Sequence, residues 1–320
     1  MSYPKKGQWE PTMKVVVTGS SGVVGSALCS ALVAAGHTVV RLVRRPAASS
    51  SEVQWHPELG GTPVDELVAA LAGVDAAVNL AGAGIGDHRW NPAYKRLLLT
   101  SRVDSTTALV TALTRLDPLP QVLISGSAYG FYGETGDTPT DEQGAPGDTF
   151  LAQLSQAWEQ AAEPAAEAGI RVALARTGLV VSPTGGAFGT LIPLVKLGLA
   201  GRLGSGKQWW PFISLRDEVA AINWLLTTSE ASGAYNLTAP EPCTNLAATR
   251  AMGQLLHRPT LTYSPRFALR ILLGEFADEL LVSSRVVPDR LLAGGFVFQD
   301  PTITTAVATL ATTNPAGSPA

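Results

Sequence analysis

The chain has 320 residues, of which 46% are hydrophobic and only 15% are charged, with a formal net charge of −3. This weakly acidic balance excludes a strongly basic nucleic-acid or anionic-membrane surface, and no apolar stretch reaches the roughly 18–20 residues that span a bilayer. The two cysteines, Cys29 and Cys243, are too few for a disulfide framework. Together with the lack of an apolar leader, they predict a cytoplasmic protein.

Segments typical of strands alternate with segments typical of helices as far as residue 176, and one more helix and one more strand are predicted at 214–238. The predicted strands are 14–19, 37–43, 52–55, 74–82, 120–126, 170–176 and 233–238. The predicted helices are 22–35, 65–73, 92–116, 150–168 and 214–226. This alternation predicts an α/β fold, a Rossmann-like doubly wound parallel sheet with a smaller C-terminal part on the substrate side.

Three glycines, Gly19, Gly22 and Gly25, connect the first predicted strand to the first predicted helix. Glycine at this spacing permits a tight turn and a close approach of backbone amides to a diphosphate at the helix N-terminus. A glycine triplet alone also fits a plain turn. Its position between a strand and a helix favours a dinucleotide-binding motif.

The end of the second predicted strand is basic. NAD-binding proteins usually carry Asp or Glu there, about 20 residues beyond the glycines. This chain has no acidic residue between Met13 and Ser51. Arg44 is therefore predicted to contact a 2′-phosphate, with Arg45 in support, because guanidinium groups bind phosphate well. The pattern predicts NADP as the cofactor, and a solvated basic loop is the alternative.

Several motifs resemble the extended short-chain dehydrogenase/reductases: TGSSGVVG, NLAG at 79–82, SGSAYGFYG at 125–133 and RTGLVVSP at 176–183. Others resemble an atypical epimerase-like branch, labelled nucleoside-diphosphate-sugar epimerase or cell-division-inhibitor-like, with a characteristic C-terminal domain of unknown function. They are RW at 89–90, SRVDSTTALV at 101–110, WE at 158–159, GSGKQWWPFISLRD at 204–217 and LLGEFADELLVSSRVVPDRLLAGGFVF at 272–298. The resemblance spans about residues 13–310.

The motifs and this resemblance together imply a domain division and a set of cofactor contacts. An NADP-binding Rossmann domain is expected at 13–182, completed by 214–240. The substrate-side part is expected at 183–213 and 241–310, with flexible tails at 1–12 and 311–320. The predicted cofactor-binding residues are Gly19, Ser21, Gly22, Val23, Val24, Gly25, Arg44, Arg45, Leu80, Ala81, Gly82, Ser125, Thr177 and Gly178.

The resemblance also implies a serine and a Tyr-x-x-x-Lys pair as the proton-transfer groups. The serine is predicted at Ser127, with Ser125 as the alternate. If Glu159 matches the glutamate that commonly follows the lysine, the pair falls on Leu151 and Ser155. No tyrosine or lysine occurs at 134–170. The usual pair is therefore missing, and another group must move the proton.

Two further residues are predicted to be catalytic, Tyr132 and Arg102, although a tyrosine before glycine is often structural. Arginine stays protonated and is a poor base, but it is a good clamp for carboxylate or phosphate. The residues predicted to bind substrate are Arg89, Trp90, Lys95, Tyr129 and Trp210. Trp210 could also belong to the core. No metal site is predicted, because the four histidines show no paired metal-ligand spacing.

These features predict an NADP(H)-dependent oxidoreductase or epimerase that acts on a small polar or anionic substrate. Two alternatives stay open. The chain could be a non-redox NADP(H)-binding sensor that acts through a protein partner, or a biosynthetic isomerase or cyclase without net hydride transfer. The expected partners are a small-molecule substrate and neither nucleic acid nor membrane. The expected assembly is a monomer or homodimer.

Overall fold

The computed structural model describes residues 12–58 and 61–312. Its strands are β1 (Lys14–Thr18), β2 (Thr38–Val43), β3 (Glu52–Gln54), β4 (Ala76–Asn79), β5 (Val122–Ala128), β6 (Arg171–Thr177), β7 (Leu179–Val181), β8 (Gly201–Leu203), β9 (Trp209–Trp210), β10 (Phe212–Ser214), β11 (Gly233–Leu237), β12 (Cys243–Thr244) and β13 (Thr262–Ser264). Its helices are α1 (Val23–Ala34), α2 (Val64–Ala70), α3 (Pro92–Leu113), α4 (Phe150–Gln160), α5 (Glu163–Glu167), α6 (Gly186–Lys196), α7 (Leu215–Thr227), α8 (Asn245–Leu255), α9 (Arg266–Leu273), α10 (Phe276–Leu280), α11 (Asp289–Ala293) and α12 (Ile303–Thr312).

Seven parallel strands form one sheet in the order β11-β6-β5-β4-β1-β2-β3. Because the chain reverses its direction of winding between β1 and β4, the carboxyl ends of these two strands flank a crevice at the edge of the sheet. Open α/β sheets bind ligands at this kind of switch point. The predicted Rossmann-like doubly wound fold is confirmed.

Both faces of the sheet are covered, because its central strands are apolar on each side. In β1, Val15 and Val17 pack against α1 and α7, whereas Val16 packs against α2 and α3. All three valines have no exposed surface. A parallel sheet that is buried on two faces needs such continuous apolar strands, which explains the low content of charged residues.

A third apolar cluster lies in the C-terminal half of the chain, built from α6, α8, α12 and the short strands between them. Phe188, Trp210 and Met252 are central to it. The strand β11 returns from this half to the main sheet, where it pairs with β6. The proposed division into domains stays a prediction. The two predicted tails fall outside the described residues, except for residues 12, 311 and 312.

One predicted helix, 150–168, is wrong as a single element, because the chain forms α4 and α5 instead. Pro164 lies in the first turn of α5, where its missing amide hydrogen is tolerated, whereas the interior of a longer helix would lose a hydrogen bond there. A 3₁₀ turn at Tyr129–Tyr132 follows β5 directly. Within residues 12–58 and 61–312, no helix has the length and apolar character required to cross a membrane.

Candidate active site

The turn after β1 is built on glycine for two different reasons. Gly19 has a φ of +62°, and a Cβ atom on it would collide with the Leu80 carbonyl. A Cβ atom on Gly25 would collide with the Gly19 carbonyl. These two glycines are therefore required for packing within the chain. A Cβ atom on Gly22 would meet only the Gly19 carbonyl oxygen, at 3.2 Å, so Gly22 is the glycine that leaves space for a ligand.

The N-terminus of α1 presents free donors. No side chain caps this helix. Within the described chain, the amides of Ser21, Val23 and Val24 donate to no acceptor, and the buried Ser20 hydroxyl likewise has no partner. Exposed amides at a helix N-terminus suit an anion such as a diphosphate. The residues at this turn therefore fit a dinucleotide, and the binding roles of Ser21, Val23 and Val24 stay predictions.

Three arginines lie near the end of β2, and each has different surroundings. Arg45 forms a bidentate ion pair with Glu52 at 2.6 and 2.8 Å, which lowers the pKa of Glu52 to about 2. Arg41 donates to the Ser20 carbonyl at 2.9 Å and so supports the glycine turn. Arg44 is exposed, and its side chain has no hydrogen bond or ion pair within 12–58 and 61–312. Of the three, Arg44 is the guanidinium available to a ligand.

The predicted cofactor segment after β4 packs against the glycine turn. The amides of Leu80 and Ala81 both donate to the Thr18 hydroxyl, at 3.0 and 3.1 Å. Thr18 in turn donates to Asn79 at 2.6 Å. These bonds fix the segment at the edge of the crevice, but they also occupy two of its amides. Any contact of Leu80 or Ala81 with a ligand would have to use other atoms.

The remaining predicted cofactor residues lie at the ends of β5 and β6. The Ser125 hydroxyl is fully buried and has no partner in the described part of the chain. The Gly178 amide donates to the Leu237 carbonyl at 2.9 Å, and Thr177 donates to Glu218 at 2.8 Å. Burial raises the pKa of Glu218 to about 8.

Sequence reasoning missed Glu218, although it accepts a hydrogen bond from Thr177, a predicted cofactor-binding residue. An acidic residue in the first turn of a helix normally indicates only a favourable interaction with the helix dipole. The sequence SLRDEV is therefore typical of an ordinary helix N-terminus. The one further signal is that Glu218 lies next to another acidic residue in a mainly apolar helix.

Two of the predicted catalytic residues, Ser127 and Tyr132, belong to one buried polar network. Ser127 donates to Glu159 at 2.6 Å, and Arg176 donates to both oxygens of Glu159 at 2.8 and 2.9 Å. Arg176 also donates to the Tyr132 hydroxyl at 2.8 Å. The Tyr132 hydroxyl donates to Asn236 at 2.7 Å. Burial raises the pKa of Tyr132 to about 12. Their catalytic roles stay predictions, and the network gives both residues a structural role.

The third predicted catalytic residue, Arg102, lies in α3 behind the segment that follows β4. Its side chain is only 8% exposed, and it contacts Gly82 on one side and Trp158 on the other. Burial lowers the pKa of Arg102 to about 10. The guanidinium therefore keeps its positive charge at neutral pH.

Tyr129, predicted to bind substrate, is half-buried and packs against an apolar cluster that includes Val286. Burial raises the pKa of the Tyr129 hydroxyl, and the Glu279 carboxylate raises it further. Glu279 belongs to α10 and accepts a hydrogen bond from the Leu151 amide at 3.3 Å. The C-terminal part thus reaches the start of α4, at the position where the usual catalytic tyrosine would fall.

Three other predicted substrate residues lie together, and one lies apart. Trp90 is buried and stacks on Phe276. Lys95 pairs with Glu275 at 2.8 Å, and the exposed Arg89 lies next to Gly274. The fourth, Trp210, is buried in the third apolar cluster against Phe188. Their roles in binding substrate stay predictions. Among the described residues, no group of three or more His, Cys, Asp and Glu side chains could hold a metal ion.

Comparison with known proteins identifies the family. The model of the NAD-dependent epimerase/dehydratase family matches residues 15–238. The chain belongs to this family. A domain of unknown function, DUF1731, matches residues 264–310 of the same chain. The predicted membership of an atypical, epimerase-like branch of the short-chain dehydrogenase/reductases is confirmed.

Related proteins are similar to this epimerase-family chain over nearly its full length. An epimerase family protein of Mycobacterium bovis is 46% identical over 302 residues, covering 94% of this chain and 98% of its own. One from Staphylococcus aureus is 33% identical and covers 89% of this chain and 94% of its own.

Two solved structures are 30% identical to this chain. The human epimerase family protein SDR39U1, in complex with NADPH, has a TM-score of 0.86 and covers 94% of this chain and 100% of its own. The nucleoside-diphosphate sugar epimerase of Corynebacterium glutamicum has a TM-score of 0.76 and covers 93% of this chain and 57% of its own.

Proposed function

We propose that the chain is an NADP(H)-dependent oxidoreductase or epimerase that acts on a small polar or anionic substrate. The observation that carries this proposal is the pair of features at the crevice: free amides at the start of α1, and Arg44 unpaired at the end of β2. Amides suit a diphosphate, and an arginine suits the additional 2′-phosphate of NADP. The complex of the human relative with NADPH supports the same choice of cofactor.

In this proposal, different residues of the chain bind the diphosphate, the 2′-phosphate and the substrate. The glycine turn and the start of α1 bind the diphosphate, and Arg44 contacts the 2′-phosphate. The bound nicotinamide supplies hydride transfer. Ser127 is held in one orientation by its bond to Glu159, so its hydroxyl oxygen can accept a hydrogen bond from a substrate hydroxyl group.

The cofactor assignment is tested by titrating NADPH and NADH into the wild type and Arg44→Glu. We expect the variant to lose NADPH affinity by about tenfold or more, the scale of a charge-assisted hydrogen bond, with NADH affinity nearly unchanged. Arg250→Glu is the matched control, since Arg250 is exposed on α8. An unchanged ratio of the two affinities in Arg44→Glu contradicts the assignment.

The reaction class is tested by following the loss of NADPH absorbance with a panel of small carbonyl compounds. The reverse direction is followed by the gain of NADPH absorbance when NADP⁺ is supplied with the matching alcohols. Hydride transfer that slows in Ser127→Ala supports an oxidoreductase. For an epimerase, the net cofactor absorbance stays constant while chiral chromatography shows the product epimer. Nucleotide binding without conversion of any compound in the panel contradicts both.

A second candidate is a non-redox protein that binds NADP(H) and acts through a partner. It is favoured by the buried network, because the hydroxyls of Ser127 and Tyr132 both donate to partners inside the chain. Tight NADPH binding without turnover, together with a binding partner whose affinity changes with NADPH, would support it.

A further inference from the structure

Arg102 is a buried cation that lacks an anionic partner. Its Nη1 donates to the Leu98 carbonyl at 3.0 Å, one turn earlier in α3. No carboxylate lies within ion-pair distance of it in the described part of the chain, and Nε and Nη2 make no hydrogen bond there. An unpaired buried charge is unfavourable, since desolvation is not offset by a counter-charge.

The buried Arg176 and the half-buried Arg171 do not share this state. Arg176 forms its two bonds to Glu159, and the guanidinium of Arg171 donates to three backbone carbonyls of α7 and the loop after it. Arg41 and Arg285 each have one buried nitrogen, Nε, without an acceptor, so the chain does not saturate every other guanidinium group. At Arg102 it leaves two of the three guanidinium nitrogens without an acceptor.

The surroundings hold the Arg102 guanidinium in a fixed place. A Cβ atom on Gly82 would lie only 2.8 Å from its Cζ, so this glycine makes room for it. On another side, the Trp158 ring lies 5.0 Å from Cζ, within the range of a cation–π contact. The neighbouring Trp158 Nε1 is itself buried without a hydrogen-bond acceptor. The site thus combines two kinds of unsatisfied donor and no acid.

The position of this site connects it to the crevice. Gly82 belongs to the segment after β4, and the same segment touches the glycine turn, because a Cβ on Gly19 would collide with Leu80. Ligands of open α/β sheets bind outside the carboxyl ends of the strands, which is where this segment lies. An anion that reached Arg102 would therefore lie next to a bound dinucleotide.

We propose that Arg102 is the specificity-determining residue of this crevice and binds a carboxylate or phosphate oxyanion of the small substrate. This inference rests on the proposed function, which supplies the dinucleotide beside it. It narrows the proposed substrate class from small polar or anionic compounds to small anionic compounds. Arg102 then positions the substrate through paired hydrogen bonds and takes no part in proton transfer.

The cofactor diphosphate is also an oxyanion that Arg102 could bind. The experiment therefore distinguishes an oxyanion of the substrate from the diphosphate of the cofactor. Malonate, inorganic phosphate and the neutral malonamide are titrated by calorimetry into the wild type, Arg102→Met and Arg102→Lys, each with and without saturating NADPH. NADPH is titrated into all three proteins alone. Circular dichroism and thermal unfolding establish that each variant is folded.

We expect malonate or phosphate, but not malonamide, to bind the wild type–NADPH complex. We expect this affinity to fall about tenfold or more in Arg102→Met and less in Arg102→Lys, which keeps the charge but loses the fork of donors. NADPH affinity should change less than twofold. Trp158→Phe, which keeps an aromatic face but removes the Nε1 donor, should lower the oxyanion affinity less than Arg102→Met does.

Several results would overturn the proposal. One is that neither oxyanion binds the wild type; another is that both bind Arg102→Met equally well. A loss of NADPH affinity in Arg102→Met with unchanged oxyanion binding would assign Arg102 to the cofactor diphosphate instead. If Arg102→Met does not fold, Arg102→Lys decides the matter, since an oxyanion affinity equal to that of the wild type would contradict binding through the paired donors of Arg102. Failure of the wild type to bind NADPH would refute the proposed function, and it would leave the oxyanion titration of the free protein interpretable.

Discussion

The buried carboxyl group of Glu218 should make the stability of the fold depend on pH. Its side chain has no exposed surface; one oxygen accepts from Thr177 at 2.8 Å, and the other has no partner in the described structure. Burial raises the pKa of Glu218 from 4.5 to about 8. Between these pH values the folded chain holds a proton that the unfolded chain has lost. The free energy of unfolding therefore falls as pH rises, by up to about 1.4 kcal/mol per pH unit from this one group.

The test is the Glu218→Gln variant, which keeps an acceptor for Thr177 and removes the titration. Urea unfolding at pH values from 5 to 8 gives the free energy of unfolding of each protein. The side-chain amide introduced by this substitution lowers the free energy of unfolding by about 1–3 kcal/mol if its buried donor has no acceptor, but that loss does not change with pH. The difference between variant and wild type should therefore shift in favour of the variant by about 1.4 kcal/mol per pH unit.

Glu167→Gln serves as the control, since Glu167 is exposed on α5. That substitution should leave the slope with pH unchanged. If wild type and Glu218→Gln show parallel curves, Glu218 does not hold a proton in the folded chain, and its burial does not raise its pKa.

Three further substitutions test the crevice and the buried network. Gly22→Ala should weaken NADPH binding, measured by calorimetry, with only a small loss of stability. Gly25→Ala should lower the melting temperature strongly, because its Cβ atom would collide with the backbone. Similar melting temperatures for the two variants would contradict this. Arg176→Met should lower the free energy of urea unfolding by about 3–5 kcal/mol, because it leaves the buried Glu159 carboxylate unpaired. A loss below 1 kcal/mol would show that water reaches Glu159.

Local patterns were enough to predict the main sheet. The apolar run of β1, the glycines after it and the regular return of helical segments are properties of neighbouring residues, and each strand of the sheet lies at or near its predicted place. The boundary inside 150–168 could not be obtained in this way, because the alanine-rich sequence around Pro164 has the composition of a helix throughout.

The candidate site was harder to predict because its contacts join distant parts of the chain. Tyr132 and Asn236 are 104 positions apart, and Ser127 and Glu159 are 32 apart. The types of Ser127 and Tyr132 suggest chemistry, but only their neighbours in space show that both hydroxyls donate inside the protein. In the same way, three arginines near the end of β2 are equivalent in sequence. Arg44 is distinguished from Arg45 only by the position of Glu52 on the adjacent strand.

The late return of β11 to the sheet has a consequence for synthesis on the ribosome. Until Gly233–Leu237 has emerged, β6 is an edge strand whose outer amides and carbonyls are free to pair with another chain. The emergence of the same segment also delivers Asn236, the acceptor for Tyr132. A nascent chain that has completed β6 therefore carries both an open edge and an unfinished polar core while residues 178–232 are added. During this interval the unpaired edge exposes the chain to aggregation in competition with folding.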